Sequence, residues 1–345
     1  MKSSGFFTTV AILTFFCSTG SFAQDNFGDF LHEELDESKA LMSAYVSPLM
    51  KATSLGLNQG WYNTAKPHKT FGFDLTVSVS GMTIPGSDKF FNVGELGLRH
   101  FRLSQDSPDH PNAPTIFGAD REPEYLYLSD PDDPSTAEPF TGPPGLDLKD
   151  HIKTNMWPVP MANVGIGLAK NTDLKIRFVP SINIGDDGSF KMWGVGVMHD
   201  VKQWIPGIKL LPFDLSGFFG YTRFDLNYDL TDGEIDGENQ RGELSMSATT
   251  IQAVISKKIA VLTVYGGVGY NIAKSNLSLK GTFDINDDGD TDDNFETNPL
   301  ELDFSASGFR ATAGLRVKLA VITLHADYTI QKYKALNVGF GINVR

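Results

Sequence analysis

The chain has 345 residues, a formal net charge of −13 and one cysteine. The acidic balance disfavours nucleic acid as a partner, because phosphate binding needs a basic face. It suits solvated acidic loops, which attract cations.

Residues 1–23 read as a secretory signal. Lys2 supplies the positive start, Phe6 to Phe16 a short apolar run, and Ser21, Phe22 and Ala23 a small-x-small cleavage site. The apolar run is too short to span roughly 30 Å of hydrocarbon as a helix. Losing Lys2 with the signal takes the charge from −13 to −14. Cys17 lies inside the signal, behind Phe15 and Phe16 rather than the small residues a lipoprotein signal needs. The mature chain then has no disulfide framework, thiolate metal site or cysteine nucleophile.

Apolar residues next recur at three and four from Phe27 to Met50, through Phe30, Leu31, Leu35, Leu41, Tyr45 and Leu49. That spacing predicts one amphipathic helix, capped by Asp25 or Asn26 and broken after Pro48 by Gly56 and Gly60. Residues 24–66 are expected to form a helical plug or periplasmic segment.

From Lys69 the period changes to two. Phe71, Phe73, Leu75, Val77 and Val79 share one face, with Gly72, Asp74, Thr76 and Ser78 on the other. Segments 174–184, 322–331 and 336–345 alternate in the same way. Such alternation gives one apolar and one wet face. A β-sandwich alternates too, but three features favour a membrane barrel over residues 67–345. Many segments reach the 9–11 residues that cross a bilayer at a tilt. The wet face carries full charges, with Asp74, Lys175, Arg177, Asp303, Arg310, Arg316, His325 and Asp327 expected to line a lumen. Connections alternate between tight turns near 171, 258 and 320 and long acidic loops at 229–243 and 284–299. With the C-terminus in the periplasm, both acidic loops fall outside, the asymmetry expected of outer-membrane barrels.

Counting strands gives 70–84, 157–169, 174–185, 189–200, 213–228, 243–257, 261–283, 300–318, 321–332 and 335–345. Phe91 to Leu103 and Glu124 to Leu128 are two further candidates. Residues 105–156 hold nine of the eighteen prolines, which forbids a long regular ladder and marks an irregular insertion. Single-chain bacterial barrels have even strand numbers, so ten to fourteen are open and twelve is expected.

The sharpest local motif is Asp284, Asn286, Asp288, Gly289, Asp290 and Asp292. Oxygen ligands at positions one, three and five before a glycine make it a candidate calcium loop. Phe295 stands where an EF-hand has its bidentate acid, with Glu296 one place late, so a solvated acidic loop is the plainer reading. His32 with Glu33 and Glu34 does not complete a zinc motif, because residue 36 is Asp. His325 and Asp327 share a strand face, where polar lining outweighs a catalytic dyad. No Gly-x-Ser-x-Gly elbow or phosphate-binding glycine loop occurs, and no enzymatic activity is expected. Trp61, Tyr62, Trp157, Trp193 and Trp204 are candidates for interfacial aromatic girdles. Residues 202–207 read as a short helical or looped excursion before the strand at Phe213, at the periplasmic membrane surface.

The run Ala44 to Met50, then Gly56 to Tyr62 and the first strand from Phe71, form a recognisable layout with Trp204 to Gly207, Leu211 to Leu215 and the Gly-rich last strand. In this layout the chain resembles an uncharacterised outer-membrane β-barrel family of the Bacteroidota, over essentially the whole mature length. Plug plus barrel is also similar in architecture to the long-chain fatty acid transporter family, without its signature residues. Arg345 departs from the terminal aromatic usual in such barrels, although Phe340 sits five back.

The expectation is an all-β, antiparallel transmembrane β-barrel with an N-terminal helical plug, embedded in outer-membrane lipid. Its expected role is passive transport or binding of a small, hydrophobic molecule along a path touching Phe30, Leu41, Tyr45 and Leu49. The alternative is a structural or interaction barrel that presents acidic, calcium-stiffened loops outside the cell.

Overall fold

The computed structural model of the protein describes residues 35–185, 187–230, 236–285, 289, 291 and 296–344. The signal at 1–23, the helix start at 27–34 with Phe30 and His32, and Asn286, Asp288, Asp290 and Asp292 of the acidic motif lie outside the described residues.

Helix α1 (Leu35–Gly56) leads into strand β1 (Phe73–Thr83). Short elements follow: β2 (Phe90–Asn92), β3 (Phe101–Leu103), β4 (Asn112–Pro114), β5 (Glu124–Leu128), β6 (Ala137–Thr141) and helix α2 (Leu148–Ile152). Nine long strands complete the chain: β7 (Met156–Leu168), β8 (Thr172–Ile184), β9 (Gly188–Asp200), β10 (Asp214–Asp229), β11 (Arg241–Ile259), β12 (Leu262–Lys280), β13 (Leu300–Leu319), β14 (Ile322–Ile330) and β15 (Ala335–Val344).

β1 and β7 to β15 close into one antiparallel barrel of ten strands. The expected twelve is corrected to ten. Phe91 to Leu103 and Glu124 to Leu128 supply only strands of three and five residues, paired within two small separate sheets. Prolines lack the donor that a ladder needs, so this stretch cannot run the length of a barrel wall. It folds instead as a cap over the end of the barrel where β1 stops and β7 starts. That outer end also carries the long acidic connections between β10 and β11 and between β12 and β13. The inner end carries three tight turns, with Lys170, Asn171, Ala260 and Ala320 at positive φ, and the longer excursion between β9 and β10.

α1 runs through Pro48 and ends at Gly56, one of the two glycines expected to break it. Leu41, Met42, Tyr45, Met50 and Leu55 are all buried, as are Ser38, Thr53 and Ser54. A helix wrapped on all sides needs no single apolar stripe, and surrounding contacts offset the backbone bond that proline removes. Tyr45 Oη donates to the Pro144 carbonyl (2.8 Å), and Ile116 N–H donates to the Tyr45 carbonyl (3.1 Å). Trp157 on β7 packs its ring 5.3 Å from Phe117 and donates from Nε1 to Thr53 Oγ1 (3.0 Å). At Gly56 any Cβ would fall 2.5 Å from Val159 Cγ2, so the helix end lies hard against the barrel wall.

The long strands invert their pattern along their length. Near the inner end of β13, Phe309, Leu315 and Leu319 point outward while Arg310, Thr312 and Arg316 point inward. Near the outer end, Leu300, Leu302, Phe304 and Ala306 point inward and Glu301, Asp303 and Ser305 outward. Asp303, expected in the lumen, is therefore exposed on the outside and accepts from Asn276 Nδ2 (3.0 Å). β11 and β12 invert likewise, between Thr249 and Ile251 and between Ile272 and Lys274. Polar pairs such as Arg223 with Asp225 (2.8 Å) occupy the outer part of the outward face. The outer ends thus resemble a water-soluble protein with its apolar side inside, packed on α1 and the cap.

Glu37, in the first turn of α1, fastens helix to cap. Its carboxylate accepts backbone N–H groups of Arg99 and His100 (each 2.9 Å) and Phe101 (3.3 Å). Burial works against its ionisation, but these donors and the His100 ring hold the carboxyl below the usual range. A lowered pKa means this contribution is present above the ordinary carboxylate value and lost as pH falls through the lowered one. Glu37→Gln should weaken the helix–cap contact by about 1–2 kcal/mol at neutral pH. The readout is faster amide exchange at residues 99–101 with the barrel intact, and acidifying the wild type should produce the same change.

Candidate functional site

The lumen is the candidate site, and the protein's own chain fills it. After α1, residues 57–68 descend from the middle of the barrel to its inner end, meeting three layers of inward side chains.

The first layer grips a turn. Arg177 on β8 donates from Nη1 to the Leu57 carbonyl (2.6 Å) and from Nε to Asn163 Oδ1 (2.5 Å), and from Nη2 to the Gln59 carbonyl. Arg310 on β13 donates from Nη1 to the Asn58 carbonyl (2.9 Å) and from Nη2 to Gln59 Oε1 (2.8 Å). Asn163 Nδ2 closes the turn on the Gly60 carbonyl (2.7 Å). Gly60 has φ +69°, and a Cβ there would lie 2.5 Å from Ser78 Oγ, so the turn requires glycine. Guanidinium groups fit this task, since each offers several fixed donors to carbonyls that have left a helix unpaired.

The second layer is aromatic. The Arg177 guanidinium lies 3.6 Å from the centre of the Trp61 ring. Trp61 and Tyr62 pack on Phe218 at 5.7 and 5.6 Å, and Tyr62 donates to Gln252 Oε1 (2.5 Å). The wall makes room with glycines. A Cβ at Gly196 or Gly220 would strike the Trp61 ring at 3.0 or 2.9 Å, and one at Gly267 the Tyr62 hydroxyl at 2.4 Å. Gly196 and Gly220 are directly paired across β9 and β10.

The third layer is charged. His68 N–H donates to Asp173 Oδ1 (2.7 Å), and its Nδ1 lies 2.9 Å from Asp173 Oδ2. Asp74 accepts from Thr76 Oγ1 (2.9 Å) and pairs with Lys175 (3.4 Å) and with His68 Nε2 (3.5 Å). Above it, Asp327 accepts from Tyr265 Oη and Asn337 Nδ2 (each 2.8 Å).

Asp74, Lys175, Arg177, Arg310, Arg316, His325 and Asp327 are all buried and face inward, so the lumen brings together the polar residues expected there. His325 and Asp327 form no mutual hydrogen bond among the described residues; the partners of Asp327 are Tyr265 and Asn337. Leu41 and Tyr45 sit apart from this polar set, buried under the cap, with Leu49 packed against the same cluster. Of the acidic motif, Asp284 is described, and its Oδ2 accepts the N–H of Gly289 (3.0 Å). Among the described residues, no group of three His, Cys, Asp or Glu is placed to hold a metal. Trp61, Tyr62 and Trp157 are buried in the interior rather than in a girdle, whereas Trp193 and Trp204 are exposed outside. The strand residues Asn163, Asp173, Gln252 and Ser256 are plug contacts that the sequence did not single out. Their signal was present as inward positions of alternating strands, and so were the inward glycines that leave space for two rings.

A family described as "Family of unknown function (DUF6588)" matches residues 1–344. No curated protein matches the sequence. Among solved structures, the translocator domain of autotransporter NalP from Neisseria meningitidis is similar at TM-score 0.31 and 12% identity, covering 90% of this chain and 98% of that one. Ail, the attachment invasion locus protein of Yersinia pestis, gives 0.27 and 10%, covering 80% and 98%. The Pseudomonas putida toluene transporter TodX gives 0.23 and 7%, covering 87% and 72%.

Removing one arginine leaves several enclosed carbonyls without donors. Arg177→Met should cost roughly 2–4 kcal/mol. It should lower the temperature at which the compact, unboiled gel band converts to the unfolded one, whereas Lys258→Gln at the exposed inner rim should leave that temperature unchanged.

Proposed function

The chain belongs to this family of unknown function, DUF6588, and we propose that it is an outer-membrane barrel closed by its own chain, which presents the folded cap to partners outside the cell. The observation that carries this reading is the grip of Arg177 and Arg310 on the turn at residues 57–60, which occupies the lumen at mid-height. A conduit would need that turn to leave.

The outward face supports the membrane part. No described helix is long and apolar enough to cross a bilayer, so crossing falls to strands. From Phe309 to Leu319 the apolar band on β13 covers about 33 Å along the strand, or about 25 Å at a tilt near 40°. That matches the apolar belt of outer-membrane barrels. Aromatic rings mark its outer edge, with Tyr270 and Phe309 5.2 Å apart and Trp193 and Tyr221 5.4 Å apart. Phe71 and Trp204 are exposed at the inner edge. Lys66, Lys69, Lys170, Lys209, Lys257 and Lys258 are exposed around the inner rim, where they complement anionic headgroups. In this reading calcium held by Asp284, Asn286, Asp288, Asp290 and Asp292 would stiffen the connection between β12 and β13. No catalysis is involved.

Labelling tests the arrangement, because Cys17 is the only cysteine in the sequence. A thiol introduced as Ser135→Cys, on the exposed surface of the cap, should react with a membrane-impermeant maleimide on intact cells. One introduced as Lys209→Cys should react only after the outer membrane is opened. The reverse pattern, or protection of both in a soluble fraction, sinks the reading.

Passive transport of a small hydrophobic molecule is the second reading, favoured by one observation. Buried polar atoms without partners gather on the plug, at both side-chain ends of Asn58, at Gln59 Nε2 and at Trp61 Nε1. Unpaired groups lower the cost of releasing the segment that carries them. Planar-bilayer recordings separate the two: the wild type should be electrically silent under the display reading, and stable channel openings would favour a plug that withdraws.

A further inference from the structure

We propose that the inner third of the lumen contains a binding site for a small monovalent anion, held between Arg316 and His325. The inference rests on the geometry and charge of the lumen and stands whether the barrel serves display or transport.

Arg316 lies near the inner end of β13, points inward and is 7% exposed. Its Nε is buried and has no hydrogen-bond partner among the described residues. A buried guanidinium with an unbonded Nε, whose opposing carboxylate is shared with other cations, is incompletely compensated, and a bound anion would complete it. The other lumen arginines set the contrast, for Arg177 and Arg310 each make several donated bonds.

The surroundings are short of negative charge. Asp74 is the carboxylate that opposes Arg316, but it is already shared by Lys175, His68 and Thr76. Asp173 is taken by His68. Lys318, one inward step nearer the mouth, adds a second cation facing Arg316. The donors are arranged as a cradle. His325 stands directly opposite Arg316 on β14, is 6% exposed, and its Nδ1 has no partner. On the other side, directly opposite on β12, is buried Thr263 with its hydroxyl. A guanidinium flanked in register by an imidazole and a hydroxyl offers donors from three strands to one anion, with surplus positive charge to hold it. The site lies close to the inner mouth, so the ligand enters from that side.

The test uses the whole mature protein in nonionic detergent, at fixed ionic strength, with chloride replacing gluconate stepwise. Chloride should raise the thermal unfolding midpoint saturably, by several degrees, because a ligand that binds only the folded state stabilises it. Arg316→Gln should abolish that dependence and unfold in gluconate no earlier than the wild type, since it removes an incompletely compensated charge. Lys258→Gln, at the exposed inner rim, should keep the dependence in full. The proposal is overturned by a wild type indifferent to chloride, by an Arg316→Gln protein that retains the shift, or by a Lys258→Gln protein that loses it. Should Arg316→Gln fail to fold, wild-type crystals soaked in bromide decide. An anomalous peak between Arg316 and His325 supports the site, and its absence there overturns it.

Discussion

Everything inside this barrel depends on satisfying the backbone of a chain that leaves a helix while enclosed. At Gly56 the α-helical ladder ends, and the carbonyls of Leu57, Asn58 and Gln59 would face a wall with no water to bond them. Two arginines on distant strands supply the missing donors. The exchange is mutual, because each guanidinium would otherwise be a buried charge without partners. Turn and arginines are thus stable only together, which fixes the height of the plug in the barrel and brings Trp61 and Tyr62 down onto the paired glycines of β9 and β10.

The inversion of the strands follows from what lies on either side of the wall. In the inner half the outside is apolar and the inside holds hydrogen-bonded polar layers. In the outer half, Leu302, Phe304 and Met246 turn in against α1 and the cap, while Asp303, Asn276 and Glu301 turn out. A period of two cannot change face without a bulge, so the sequence exchanges residue type along an unbroken strand. This also accounts for strands of 16 to 20 residues, longer than a bilayer crossing requires.

Much of this was legible residue by residue. Alternation around Asp74, Lys175, Arg177, Arg310, Arg316, His325 and Asp327 marked them as facing the wet side, and all seven are inward and buried. Asp303 was misread because alternation gives the face but not the surroundings of that face at a given height. Strand number was misread because Glu124 to Leu128 has a strand's composition, and only its pairing with β3 and β6 puts it in the cap. Gly56 ends α1 as a local breaker should, whereas the contacts that carry the helix past Pro48 come from residues far along the chain.

The sequence by itself determined the closed antiparallel β architecture, the inward polar face and the asymmetry between tight and long connections, because strand period and turn chemistry are properties of neighbouring residues. Only the tertiary structure decided that the lumen is filled, that Arg177 and Arg310 hold a turn some 120 and 250 residues away, and that Arg316 Nε was left unbonded. Those facts depend on which side chains meet across the barrel at one height. That meeting is set by strand register and by how far the plug descends, and neither is written in any local run of residues.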